Sequence, residues 1–576
     1  MKPTKWLLPG TRIGRPWYQQ RRHRWFLETI LGVLGESNMR QLLAMILMVF
    51  VLTFAVNPPL AQSQDNAPNK PDGVVNIGGR LELLVDDFLI ESMQGEVQLR
   101  MHRPERKEIV FRTDAPWEGN ASAYQSIFQD GDIYRMYYRG MHYRDHPHES
   151  GPAAKKLAPH AHYLCYAESD DGIHWRRPKL GLYDFNGSKA NNIVLHPDTR
   201  GNNCSPVQTA VFRDDNPACP RDERIKIIGQ GDLRGNGLYV MKSGDGVRFS
   251  PLSPDPIVTK GAFDSQNLAF WDSTIGAYRE YHRITLPSGI RGVATATSAD
   301  LLQFPDPVPV KLLAARPDDD LYTNAVTPYF RAPHMLVGFP ARYIEREWAD
   351  PLYALPGLDE RLARSRSHPR YGSAITEALF MSSRDGVTFK RWREAFIRPG
   401  PRMRENWAYG DHYVFWGIVE TRSHLRDAPN EISLYATEGY WEGVHTDVRR
   451  YTLRMDGFVS ASASAEGGEF VTRPFVFQGG NLTINFESSA AAGIRVELQA
   501  ADGTPIPGST LEDCPEIFGD SIRHTVRWKR GGDVRDLEGR PVRLRFSLRD
   551  ADLYSFQFVP FQPDPVRPAR PVAAGE

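Results

Sequence analysis

Ser383-Arg-Asp-Gly-Val-Thr-Phe389 decides the fold because it recurs, as Ser169-Asp-Asp-Gly-Ile-His-Trp175, as Ser243-Gly-Asp-Gly-Val-Arg-Phe249 and, without the glycine, as Thr297-Ser-Ala-Asp-Leu-Leu-Gln-Phe304. Asp-Gly between alternating apolar residues is hairpin chemistry: glycine accepts a positive φ, aspartate bonds its own backbone, and the aromatic opens the next strand. The copies lie about 55–85 residues apart, and the intervals hold alternating strands at 133–139, 224–228 and 335–339. Such spacing predicts small repeated sheets and not a helical array. Strand starts near Ala121, Val207, Asn267, Asn324 and Tyr413 make five units, the last closed by Leu81-Glu-Leu-Leu-Val85.

After Tyr451 the texture changes. Segments 482–486, 494–498, 524–528 and 542–546 alternate at period two, as half-buried strands do, and turn signals separate them. The expectation is an all-β chain: a five-bladed β-propeller over 79–445 followed by a C-terminal β-sandwich over 446–560, with a disordered tail at 561–576. Helix is sparse, with 359–365 the best short exception.

Gln41 to Val56 is almost wholly apolar, follows Arg40 and precedes small residues, the order of an export signal. Residues 1–61 therefore read as an N-terminal extension with a signal peptide or membrane anchor, and 62–78 as a disordered linker; Met39 is a second candidate start. The expected location is the periplasm, cell surface or exterior. Lys+Arg and Asp+Glu both number 70, leaving no global field for nucleic acid. No Gly-rich phosphate loop or G-x-S-x-G elbow appears, which argues against nucleotide binding and α/β-hydrolase chemistry. None of the four cysteines makes a CxxC pair; Cys204 and Cys219 are spaced to close a loop, with buried thiols the alternative. The histidines His142, His146, His148, His160 and His162 lie in a polar insertion that reads as solvated loop, with no metal site assigned.

Pro116-Trp-Glu-Gly-Asn-Ala-Ser-Ala-Tyr124, Gln129-Asp-Gly-Asp-Ile-Tyr-Arg-Met-Tyr-Tyr-Arg-Gly140, Ser169–Trp175 and Phe263-Asp-Ser-Gln-Asn267 carry a resemblance to the five-bladed β-propeller glycoside hydrolases of the invertase, levansucrase and arabinanase type. The invertase signatures Asn-Asp-Pro-Asn-Gly, Arg-Asp-Pro and Glu-Cys-Pro are not reproduced. The resemblance implies a glycoside hydrolase acting on an extracellular oligo- or polysaccharide; a non-catalytic propeller binding glycan or protein is the alternative. It places Glu118 where those enzymes carry their nucleophile, Asp264 where they carry a transition-state-stabilising aspartate, and Asp319 or Asp320 near the general acid, with Glu345 and Glu377 as rivals. Sugars present flat apolar faces ringed by hydroxyls, so Trp117, Asn120, Gln266, Asn267, Tyr322, Asn324 and Trp407 are the candidate contacts. No cofactor is required; the resemblance permits an axial calcium. The expected partner is a carbohydrate substrate, with protein partners unspecified.

Overall fold

The computed structural model describes residues 73–143, 160–198, 203–313, 320–404 and 406–563. The export segment, Asp319, His146, His148 and the tail from 564 lie outside them.

The described chain is nearly all-β, with few helices. Six small sheets stand beside one larger sheet: five, numbered I to V, follow one another, each built on a short opening strand, and the sixth pairs Asp320–Leu321, Ala341–Glu345 and Ala374–Ala378. Sheet I runs Ser126–Asp130, Ile133–Gly140, Tyr163–Ser169, Trp175–Arg176; sheet II opens with Thr209–Arg213 and sheet III with Leu268–Asp272. Sheet IV is built on Thr327–Tyr329, and sheet V on Val419–Thr421, Glu431–Glu438 and Asp447–Arg454. Pairing within sheets I to III is antiparallel throughout. The cores between sheets form a closed series. Tyr137, Tyr166, Ile227 and Tyr239 join I to II; Phe212, Phe270, Tyr281 and Phe389 join II, III and IV; Phe339, Phe380, Leu434 and Tyr451 join IV to V; Phe111, Tyr138, Phe415 and Tyr435 join V back to I.

The repeated turn links the third and fourth strands of a sheet, as its chemistry requires. The hydroxyls of Ser169, Ser243 and Ser383 donate to the carboxylates of Asp171, Asp245 and Asp385, whose Oδ1 atoms accept two following backbone N–H groups. Gly172, Gly246 and Gly386 take φ near +75°, and in the copy that lacks glycine Leu301 takes φ +65°. Each glycine carbonyl also accepts a tyrosine from the neighbouring sheet: Tyr435 on Gly172, Tyr137 on Gly246 (2.8 Å) and Tyr281 on Gly386 (2.7 Å).

Sequence and structure differ at the chain's beginning. The strand expected from Leu81–Val85 does not close sheet V; Glu82–Leu83 pairs with Ala551–Val559 instead, and Leu81, Leu83 and Val85 are buried against Phe339, Phe380 and Phe458. That segment is too apolar for an outer edge. The closing strand is Glu105–Arg112, polar but for the Ile109–Phe111 stretch, registered as Asp447↔Arg112 and Val448↔Phe111. Within the stretch expected to be linker, Val75–Gly78 is a strand, because Val75 and Ile77 alternate into a core. Val75–Gly78, Glu82–Leu83 and Ile90–Met101 join Val459–Thr472 and the later strands in one ten-stranded sheet. No disulfide joins Cys204 and Cys219.

A helical insertion, with helices Asp350–Tyr353, Leu358–Ser367 and Pro369–Ser373, separates the paired strands Ala341–Glu345 and Ala374–Ala378. It brings Tyr371 and Arg370 beside the loops that carry the candidate site.

Candidate functional site

The loops that precede the opening strands converge on an aromatic cluster: Tyr124, Tyr322, Tyr343, Tyr371, Tyr409, Tyr413, Tyr440 and Trp441, with Tyr143 at its side. Tyr322 stacks on Tyr413 at 5.4 Å and shares a 2.7 Å hydrogen bond with Tyr409; Tyr124 stacks on the other side of Tyr413 at 6.3 Å; Tyr371 stacks on Tyr409 at 5.3 Å. Guanidiniums sit over these rings: Arg139 over Tyr124, Arg283 and Arg291 over Tyr322, Arg370 over Tyr343 and Tyr371, all within 5.8 Å of a centroid.

The backbone here is held in unusual conformations. Tyr124, Ala325, Trp407, His412 and Trp441 all have positive φ, and at Gly410 (φ +93°) an added Cβ would lie 1.9 Å from the Tyr440 ring. Such outliers persist only where the surroundings over-determine them, and they gather at binding and catalytic sites. Several buried donors at the cluster have no hydrogen-bond partner among the described residues: the hydroxyls of Tyr343 and Tyr413, Trp441 Nε1 and Arg370 Nε.

The expected catalytic carboxylates do not form a free pair. Glu118 is fully buried; its oxygens accept from Arg177 Nε (2.8 Å) and Nη2 (2.9 Å), from the Tyr138 hydroxyl and from the Ala115 N–H (3.0 Å). Burial pushes its pKa up, while Arg177 opposes the shift. Its place is beside the core between sheets I and V, since Arg177 lies over Phe111. Asp264 is exposed but ion-paired to Arg283, and Asp320 is bound by Arg291 through both its backbone N–H (3.0 Å) and its guanidinium (2.5 Å). Because both arginines lie over Tyr322, the two aspartates stand at one rim of the cluster. Of the rivals, Glu377 is paired with Arg342 and Glu345 is exposed.

Of the expected sugar contacts, Tyr322 alone belongs to the cluster. Trp117 donates to Asn192 (2.6 Å) and packs on Phe185, and Trp407 packs beside Leu352, Leu355 and Ile375 with its indole N–H on Gly400. Asn120, Gln266, Asn267 and Asn324 are buried. Asn120 accepts from the Tyr143 N–H and donates to the carbonyls of Tyr143 and Gly443; Gln266 bonds the Gln125 carbonyl; Asn267 bonds those of Gln208, Phe263 and Ser265; Asn324 accepts from Val326. These amides tie together the loops that present the tyrosines and offer no face to a sugar.

Asp411 went unnoticed in the sequence. Flanked by Tyr409 and Tyr413, it is fully buried, accepts from the Tyr440 N–H (3.0 Å) through Oδ1, and leaves Oδ2 without a partner. Burial pushes its carboxyl up to about 7 against the pull of Arg364. Glu442, 3.3 Å from Arg364, is raised by the same cause. The aromatic density of Tyr409-Gly-Asp-His-Tyr413 and Tyr440-Trp-Glu442 was the available signal.

Among the described residues no group of three or more His, Cys, Asp or Glu is placed to hold a metal ion. The cations already at the cluster, Arg139 and Arg283, make it a poor fit for calcium. A cavity of about 580 Å³ opens at the other ends of the opening strands, lined by Phe128, Phe212, Trp271, Phe330, Trp416 and Ile418 among others. Its carboxylates are committed, Asp215 to Arg213 and Glu420 to Asn430, so no titratable group converges on it.

No protein-family model matches the chain, and no curated protein does. Solved structures do show likeness. A family 43 arabinoxylan arabinofuranohydrolase from Bacillus subtilis, in complex with cellotetraose, is 11% identical, with 78% of this chain and 97% of that one covered, at a TM-score of 0.35. The Bombyx mori GH32 β-fructofuranosidase is 10% identical over 80% of this chain and 94% of that one, TM-score 0.35. An N-acetylgalactosamine deacetylase from F. plautii, in complex with blood group B trisaccharide, is 11% identical over 62% and 96%, TM-score 0.35. Family 43 and GH32 enzymes are of the kind the sequence resembles.

Proposed function

We propose that sheets I to V are the blades of a five-bladed propeller, that the ten-stranded sheet is its accompanying sandwich, and that the protein is exported and binds an extracellular glycan at the tyrosine cluster. One observation carries the binding reading: flat phenol faces stand beside buried donors with no partner among the described residues, the pairing of stacking surface and directional polar groups that a sugar ring requires. The Gln41–Val56 stretch supports export.

A second reading, glycoside hydrolysis, draws support from Asp264 and Asp320 flanking Tyr322 and from the carboxyl of Asp411, held near 7, where half its population carries the proton a general acid gives up. The experiment is a panel of plant and algal polysaccharides offered to the full chain, with binding and released reducing ends measured together. Binding without turnover, weakened by Tyr322→Ala, is the expected result. Turnover abolished in both Asp264→Asn and Asp320→Asn would make hydrolysis the function. Neither binding nor turnover across the panel would remove the carbohydrate reading.

A further inference from the structure

Arg139 sets the chemistry of what binds. It lies on Ile133–Gly140 and is 5% exposed; Nε and Nη2 donate to the Ala121 carbonyl (2.9 and 2.7 Å), Nη2 also reaches the Tyr440 hydroxyl (3.1 Å), and the cation sits 5.1 Å over the Tyr124 ring. Several buried arginines elsewhere keep a carboxylate close, Arg279 with Asp272 at 3.1 Å, Arg364 with Glu442 at 3.3 Å and Arg450 with Glu108 at 2.8 Å, whereas Arg361 bonds the backbone carbonyls of Asn406 and Trp407. Among the described residues Arg139 has none; the ionisable groups that act on it are Tyr440, Tyr143 and Tyr124.

Arg370, on the far side of the cluster, repeats the pattern. It faces Tyr343 and Tyr371, its ionisable neighbours are Tyr343, Tyr371 and Tyr409, and its Nε makes no hydrogen bond. Of the nearby acids, Asp264 is paired with Arg283, Asp320 with Arg291 and Glu442 with Arg364, while the exposed Glu345 acts on Tyr343, the ring that Arg370 faces. Asp411 is acted on by Arg364 and Arg361. A guanidinium withdrawn from water without a counter-charge is costly to keep. Arg139 is such a group, and beside it and the half-exposed Arg370 the hydroxyls of Tyr343 and Tyr413 and the Trp441 N–H have no hydrogen-bond partner among the described residues; nor do the acceptors Asp411 Oδ2 and Glu442 Oε2.

We infer that the sugar recognised at the tyrosine cluster is anionic, a hexuronate whose carboxylate supplies the counter-charge that Arg139 and Arg370 lack among the described residues. This rests on the carbohydrate reading above. A planar carboxylate matches the guanidinium fork and accepts phenol and indole donors on its remaining lone pairs. Its pyranose ring is left to stack on the half-exposed Tyr322 and Tyr124.

Calorimetric titration of the full chain tests this. The probes are galacturonide, glucuronide and mannuronide oligomers, each with a twin whose carboxyls are reduced to alcohols, a sulfated galactan oligomer, and the neutral polysaccharides. At least one uronide is expected to bind about tenfold or more tighter than its reduced twin, and more weakly as salt rises. Arg370→Gln, at a half-exposed position, should cost the uronide far more affinity than its reduced twin and so remove most of that preference. Arg139→Lys should weaken the same preference with the melting curve kept as a check on folding, and Asp264→Asn, by freeing Arg283, should tighten uronide binding. Equal affinity for uronides and reduced twins overturns the inference while the carbohydrate reading stands. Preference for the sulfated oligomer over every uronide overturns the carboxylate assignment. Failure of all probes, neutral ones included, removes the carbohydrate reading itself.

Discussion

Two buried carboxyl groups show why position in the sequence is a weak guide to role. Glu118 lies where the resemblance wants a nucleophile, yet Arg177, Tyr138 and the Ala115 N–H take up its oxygens. We expect Glu118→Gln to leave glycan binding intact and to cost about 1–3 kcal/mol of stability, the range for unmaking hydrogen bonds to a buried charge, measured by urea unfolding. Loss of binding or turnover at unchanged stability would reinstate Glu118 as a functional group. Asp411 behaves differently because burial raises its folded-state pKa from 3.8 to about 7. A raised carboxyl contributes stability that is complete below the unfolded value and lost as pH rises through the folded one. Wild type should therefore lose stability between about pH 4 and 7 relative to Asp411→Asn, with the variant gaining most above pH 7. Parallel curves of melting temperature against pH for the two proteins would contradict the assignment.

At the scale of elements the repeated turn does more than reverse the chain. Its glycine presents a carbonyl to a tyrosine of the next sheet, so one short motif both shapes a hairpin and latches two sheets together. The glycine is needed for its positive φ and, at Gly386, for space: a Cβ there would lie 2.4 Å from Arg279 Cζ, and Arg279 is itself held by Asp272. Gly386→Ala should cost about 2–4 kcal/mol, combining left-handed strain with displacement of a buried ion pair. At Gly131, φ +64° with nothing within 4 Å, the same change should cost only about 1 kcal/mol. Thermal unfolding of the two variants side by side measures the difference; equal losses would mean that the close approach to Arg279 carries no weight. These turns were legible in the sequence because everything they need is local. Leu81–Val85 was misplaced because an apolar run declares that it is buried without saying against what. Its partners, Phe339, Phe380 and Phe458, stand some 250 residues or more further along.

For the whole molecule, the recurrence of small antiparallel sheets could be read from the spacing of the turns, whereas the candidate site could not. Arg139 comes from sheet I, Arg283 and Arg291 from two paired strands of sheet III and Arg370 from the helical insertion, and Tyr322, Tyr409 and Tyr440 from separate loops, so no stretch of sequence announces the cluster. Only Tyr322 was named in advance. The closing strand Glu105–Arg112 has a consequence for how the protein comes into being. Its partner Asp447–Arg454 lies some 340 residues later, and Ile90–Met101 waits as long for Val459–Thr472. A ribosome adding about 5–20 residues each second spends roughly 20–70 s between making the first strands and making what they pair with. Through that interval the early strands wait unpaired and the apolar Leu81–Val85 waits for Phe339, Phe380 and Phe458, so the first strands made are among the last to be fastened.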